Sequence, residues 1–65
     1  MIMVNGRQVE HVEGETVRAL LERMRYVFPL VIVTIDGEIV PRDRYGSVRV
    51  PDGATVEVMH LTSGG

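Results

Sequence analysis

The chain has 65 residues, no cysteine and a formal net charge of −2, with 45% hydrophobic and 25% charged residues. A chain this short makes one small domain that buries only ~60% of its unfolded surface, too little for a core plus a deep catalytic cleft, so a self-sufficient enzyme is not expected. Without cysteine there are no disulfide staples, no thiolate-held metal and no sulfur carried on a side chain, and the mildly acidic balance argues against nucleic acid as a partner.

Met1 to Val4 has the pattern of a short buried strand, and it lacks the basic region and long apolar stretch of a signal peptide. No apolar run reaches the length of a membrane span, so no membrane partner is expected and a cytoplasmic location is. Asn5-Gly6 follows, the dipeptide that most readily takes the positive φ angles of a tight hairpin, and Arg7 to Val12 reads as the return strand. Gly14-Glu15-Thr16 breaks it. Thr16 is placed to cap a helix through its hydroxyl, and Val17, Leu20, Leu21, Met24 and Phe28 recur at helical spacing as one apolar stripe. Arg18, Glu22 and Arg25 lie off the stripe, with Glu22 at pairing distance in sequence from either arginine. Pro29 disfavours helical geometry at Phe28, so the spacing predicts a helix over about residues 16–27.

Val31 to Ile35 is almost wholly β-branched and apolar, as a central strand should be. Asp36-Gly37 is a second hairpin-type turn, from which Glu38-Ile39-Val40 leads out to Pro41. Arg42 to Gly46 reads as an irregular turn, Ser47 to Val50 as a short strand, and Pro51-Asp52-Gly53 as a further turn. Val56 to His60 is the last strand, and Leu61-Thr62-Ser63-Gly64-Gly65 is a tail. One helix between β segments can cover one face of a single mixed sheet, an α+β arrangement. If Val31, Val33, Ile35, Val56 and Val58 face the helix, alternation leaves Ile32, Thr34, Glu57 and Met59 on the open face. Ile32 and Met59, with Leu61 beyond, are then candidates for an exposed apolar patch of the kind that marks partner surfaces.

His11 and His60 are isolated and their spacing matches no metal motif, so no metal site is expected. Asp36, Glu38, Asp43 and Asp52 lie in or beside turns, where backbone geometry rather than acid chemistry accounts for them. Gly37 and Gly53 belong to no phosphate-binding loop. Met1, Met3 and Met24 are accounted for as start, strand and helix residues. The C-terminus differs: Gly64 and Gly65 cap no helix or turn and cost entropy if ordered. What they offer is thinness, since a chain without Cβ atoms can enter a narrow channel on another protein. Extended, residues 61–65 span up to ~17 Å.

The run Val33-Thr34-Ile35-Asp36-Gly37-Glu38-Ile39-Val40-Pro41-Arg42, followed by Tyr45, resembles the central segment of the ThiS family, the thiamine-pathway sulfur carriers of the ThiS/MoaD type. Asn5-Gly6, Gly14-Glu15-Thr16-Val17, Leu20-Leu21, Asp52-Gly53, Val56-Glu57-Val58 and the final Gly64-Gly65 fit the same pattern in order, with Asp36 where asparagine is commoner and Tyr45 where tryptophan is common. The resemblance implies a ubiquitin-like β-grasp domain over residues 1–60 and a flexible tail over 61–65. It implies a carrier rather than an enzyme. An adenylyltransferase of the ThiF/MoeB type would use ATP to activate the Gly65 carboxylate. A desulfurase or rhodanese-like donor would supply sulfur to form a thiocarboxylate, and thiazole synthase would receive it. No cofactor is expected on the chain itself. Ser63 and Gly64 would carry Gly65 into the partner's site. Other readings stay open: a ubiquitin-like modifier joined to lysines through Gly65, a sulfur carrier for tRNA thiolation or molybdopterin synthesis, and a noncovalent β-grasp binding module.

Overall fold

A computed structural model of the chain describes residues 1–26 and 31–60. Five strands form one mixed sheet: β1 (Ile2–Val4), β2 (Arg7–Val9), β3 (Val31–Ile35), β4 (Glu38–Ile39) and β5 (Thr55–His60), with the helix α1 (Val17–Arg23) between β2 and β3. The order across the sheet is β2-β1-β5-β3-β4. β1 and β5 run parallel at its centre, and the remaining neighbours are antiparallel. This is a β-grasp, an α+β fold with the sheet on one side and the helix across it.

Local chemistry explains most of these elements. Both hairpins turn on an Asx-Gly pair with positive φ at both central residues, 51° and 82° at Asn5-Gly6 and 51° and 85° at Asp36-Gly37. That geometry matches the right-handed twist of the strands they join. Thr16 caps α1, its hydroxyl accepting from the Ala19 backbone N–H at 3.2 Å. Val17, Leu20 and Leu21 from the helix and Ile2, Val4, Val31, Val33, Val56 and Val58 from the sheet form one buried cluster. The long loop after β4 adds Val40, Val50 and Ala54 to it.

Three expected spans are shorter than the sequence pattern indicates. The helix stops at Arg23 and not near Val27, because Arg25 takes a left-handed φ of 64°. The Tyr26 N–H then bonds back to the Leu21 carbonyl at 2.8 Å and the Arg25 N–H to the Glu22 carbonyl at 3.1 Å. This is the paired closure that satisfies the last carbonyls of a helix, here built without the usual glycine. Val27 and Phe28 lie outside the described residues. The return strand ends at Val9, which pairs with Ile2, the first residue of β1; beyond it no partner strand remains. Ser47 to Val50 forms no sheet strand, only a single bridge between Arg49 and Thr16. Val17 donates to the Val48 carbonyl and Val50 to the Glu15 carbonyl, both at 2.9 Å, and the ladder cannot lengthen because the chain becomes helical after Thr16.

Two side-chain interactions lock the frame. Arg23 forks onto the buried Glu15 carboxylate, Nε to Oε2 and Nη2 to Oε1 at 2.8 Å each, and Nη2 also donates to the Glu10 carbonyl at 2.9 Å. The Glu15 carboxylate, hydrogen-bonded to the guanidinium, raises the Arg23 pKa above its already high ordinary value. The Asn5 side-chain amide extends the β1–β5 ladder by imitating a peptide: its oxygen accepts from the Val58 N–H at 2.8 Å and its nitrogen donates to the Val58 carbonyl at 3.2 Å.

Candidate functional site

The open face of the sheet is set by register. Ile32 lies directly opposite Met59, and Thr34 lies between Glu57 and Ile39. Met3 is flanked in the same way by Gln8 and Thr55. Residues opposed on neighbouring strands sit ~5 Å apart, so Ile32 and Met59 form one continuous apolar surface. Met59 is 55% exposed and Ile39 70% exposed, while Ile32 is half-buried. Ile39 was not among the residues that sequence reasoning placed on this face. Alternation from the buried Val40 marks it, since neighbours in a strand point to opposite sides.

On the opposite, helix-side face from Met59 is His60, the last described residue of β5, paired in register with Val31. Its ring lies 5.5 Å from that of Tyr26, centroid to centroid, tilted by 59°. The Asn5 amide that holds Val58 also donates to the Tyr26 hydroxyl at 3.0 Å. The first hairpin, the turn that closes the helix and the end of β5 thus meet at one corner. Leu61, Ser63, Gly64 and Gly65, the remaining candidates of the sequence reading, lie outside the described residues.

Asp36, Asp52 and His11, singled out among the polar residues, have structural partners. Asp36 accepts from the Thr55 N–H through Oδ1 at 2.9 Å, and its own N–H donates to the Thr55 carbonyl at 2.8 Å, so this turn acid extends the β3–β5 ladder. Asp52 holds the N-terminal ammonium of Met1 at 2.7 Å, a contact that keeps its carboxyl below the usual carboxylate range. His11 Nε2 is 3.2 Å from the Val50 carbonyl oxygen. The Tyr45 hydroxyl donates to the Val31 carbonyl at 3.1 Å. Glu22 pairs with Arg18 at 3.7 Å on the solvent side of the helix. Among the described residues no group of three or more His, Cys, Asp or Glu is placed to hold a metal ion, and no helix is long and apolar enough to cross a membrane. What the arrangement offers is an apolar pair, Ile32 and Met59, on the open face of the sheet at the end of β5.

Known proteins resemble the chain along its whole length. The model of the ThiS family matches residues 2–65. The sulfur carrier protein ThiS of Bacillus subtilis is 30% identical over 66 residues, with 100% of each chain covered. A crystal structure of the thiamine biosynthesis protein ThiS from Geobacter metallireducens superposes with a TM-score of 0.79 at 30% identity, covering 98% of this chain and 97% of that one. A solution structure of a thiamine biosynthesis protein from Geobacter metallireducens gives a TM-score of 0.76 at 31% identity, with 98% and 86% covered. The match of the family model from the first strand through Gly65, together with the shared fold, establishes that the chain belongs to the ThiS family.

Proposed function

We propose that this protein is a sulfur carrier of thiamine biosynthesis and that the Gly65 carboxylate is its working group. The observation that carries this reading is the family match running through Gly65, joined to a relative named as a sulfur carrier. The open apolar pair Ile32 and Met59, on the paired strands β3 and β5 near the end of β5, supports a docking role for that face.

The chemistry follows from what a carboxylate lacks. It is a poor electrophile, and a mixed anhydride with phosphate makes it a good one. An adenylyltransferase of the ThiF/MoeB type joins the Gly65 carboxylate to the α-phosphate of ATP and releases pyrophosphate. The terminal sulfur of a persulfide, held by a desulfurase or rhodanese-like donor, attacks the acyl carbon and AMP leaves. A thiol then cleaves the resulting acyl disulfide. It takes the donor sulfur into a new disulfide and frees the thiocarboxylate on the carrier. The chain has no cysteine, so both thiols belong to partners. The tethered sulfur is then a nucleophile for thiazole synthase. The chain supplies an address and a handle, and its partners supply catalysis.

Intact mass measured after incubation with the activating enzyme, ATP and a sulfur donor tests the reading. Exchange of one terminal oxygen for sulfur supports it. Adducts on lysines of other proteins, with no sulfur exchange, would replace it with a protein-modifier role.

A further inference from the structure

The corner where Asn5, Tyr26 and His60 meet has features that packing alone does not call for. Tyr26 reaches it only because Arg25 adopts a φ of 64°, a conformation uncommon for a residue with a long side chain. Asn5, itself at φ 51°, spends every polar atom of its side chain there, two contacts on the Val58 backbone and one on the Tyr26 hydroxyl. The Tyr26 ring then lies against His60. His60 is exposed, so the ring contact is not a consequence of burying it. Backbone strain that persists is over-determined by its surroundings, and it gathers where geometry matters. Here the hairpin turn at Asn5 and the helix closure at Arg25 bring three side chains together at the last residues of β5, the point from which the chain continues to Leu61.

We propose that Asn5, Tyr26 and His60 form a clip that fixes the end of β5, and that they are positioning residues for activation of the terminal carboxylate. This deepens the carrier reading and rests on it. A strand end is ordinarily the least constrained part of a sheet. The clip holds it with hydrogen bonds to the Val58 backbone and with a ring against His60. A partner that docks on the open face beside Met59 then receives the following residues from a fixed origin and direction. Adenylation needs the carboxylate oxygen in line with the α-phosphate, and misplacement of ~1 Å can cost ~100-fold in rate. A fixed origin reduces the orientations that the five following residues must search before the carboxylate is in line.

His60→Ala is the cleanest test, because His60 is exposed and its loss leaves the core in place. With a ThiF/MoeB-type activating enzyme and ATP, kcat for pyrophosphate release should fall about 10-fold or more while KM stays within about threefold, since the docking face is untouched. His60→Phe, which keeps a ring against Tyr26, should recover most of the loss, and Tyr26→Phe, which removes only the hydroxyl from the Asn5 amide, should fall between. A merely structural role would move the melting temperature and not kcat. In the free protein, NMR order parameters at residues 59 and 60 should drop in His60→Ala, toward the flexible range below about 0.6. Unchanged order parameters overturn the clip. Lowered order with parental kcat overturns the positioning role. A parent protein that no activating enzyme adenylates would bring down the carrier reading and the positioning role together, while the order parameters would still decide whether the clip exists.

Discussion

Glu15 and Arg23 are an unequal pair, and the inequality predicts which partner is costlier to lose. The Glu15 side chain is 6% exposed and that of Arg23 33% exposed. Arg23→Met leaves a carboxylate buried without its guanidinium. Loss of one partner from a fully buried pair costs ~3–5 kcal/mol; the partial exposure of Arg23 puts this case near the lower bound, about 3 kcal/mol. Glu15→Gln instead leaves a guanidinium that water can reach and that keeps its bond to the Glu10 carbonyl. Gln also retains an acceptor oxygen, so this loss should be smaller, about 1–2 kcal/mol. Replacing both by methionine removes the desolvation penalty with the charges and should cost less than Arg23→Met alone. A chain of this size has a total stability of order 3–10 kcal/mol, so Arg23→Met takes a large share of it. Urea unfolding of the four proteins, followed by circular dichroism, measures the differences through the midpoints at common slope. The reasoning fails if Glu15→Gln costs as much as Arg23→Met, or if both fall within about 0.5 kcal/mol of the parent.

Met59→Asp adds a charge to a side chain that is 55% exposed, so it should leave the melting temperature close to the parent while weakening affinity for the activating enzyme; equal affinity, with the fold confirmed, removes Met59 from the docking face. Asp52 should titrate below an ordinary aspartate because the Met1 ammonium bonds to its carboxylate. A carboxyl whose pKa is lower folded than unfolded adds stability above the unfolded value of ~3.9, and loses it as the pH falls through the folded value. Acetylating the N-terminus should therefore move the Asp52 resonance titration upward; an unmoved titration would show that the ammonium does not set it.

The parts of the fold that were legible in the sequence are those decided by near neighbours. Asn5-Gly6 and Asp36-Gly37 announce their turns because few residues accept positive φ. Thr16 announces the helix start through its hydroxyl, and the alternation of Val31, Val33, Val56 and Val58 announces which face is buried. From that alternation the shared open face of Ile32 and Met59 followed, while their direct pairing is set by the register of β3 and β5. The parts that were hidden depend on residues far apart in the chain. Glu15 lies before the helix cap and eight positions from Arg23, outside any helical pairing rule. The Asn5 amide serves Val58, 53 positions away, so its second role does not show beside its turn role. The helix end was misread because Pro29 is the visible stop signal, whereas Arg25 stops the helix earlier without a glycine to mark it. Ser47 to Val50 has strand composition, but the segment it meets turns helical after Thr16.

The carrier account stands or falls on the terminal carboxylate, and deleting Gly65 tests it most directly. Deletion leaves a carboxylate on Gly64, chemically competent but withdrawn by about one residue, ~3.5 Å. That is several times the misplacement that already costs ~100-fold in a positioned reaction. The measurement is ATP–pyrophosphate exchange with a ThiF/MoeB-type activating enzyme, run beside a thermal melt of the same variant. The account predicts that exchange is lost while the melting temperature matches the parent. Full exchange by the deleted chain would contradict it, for the working group would then lie elsewhere.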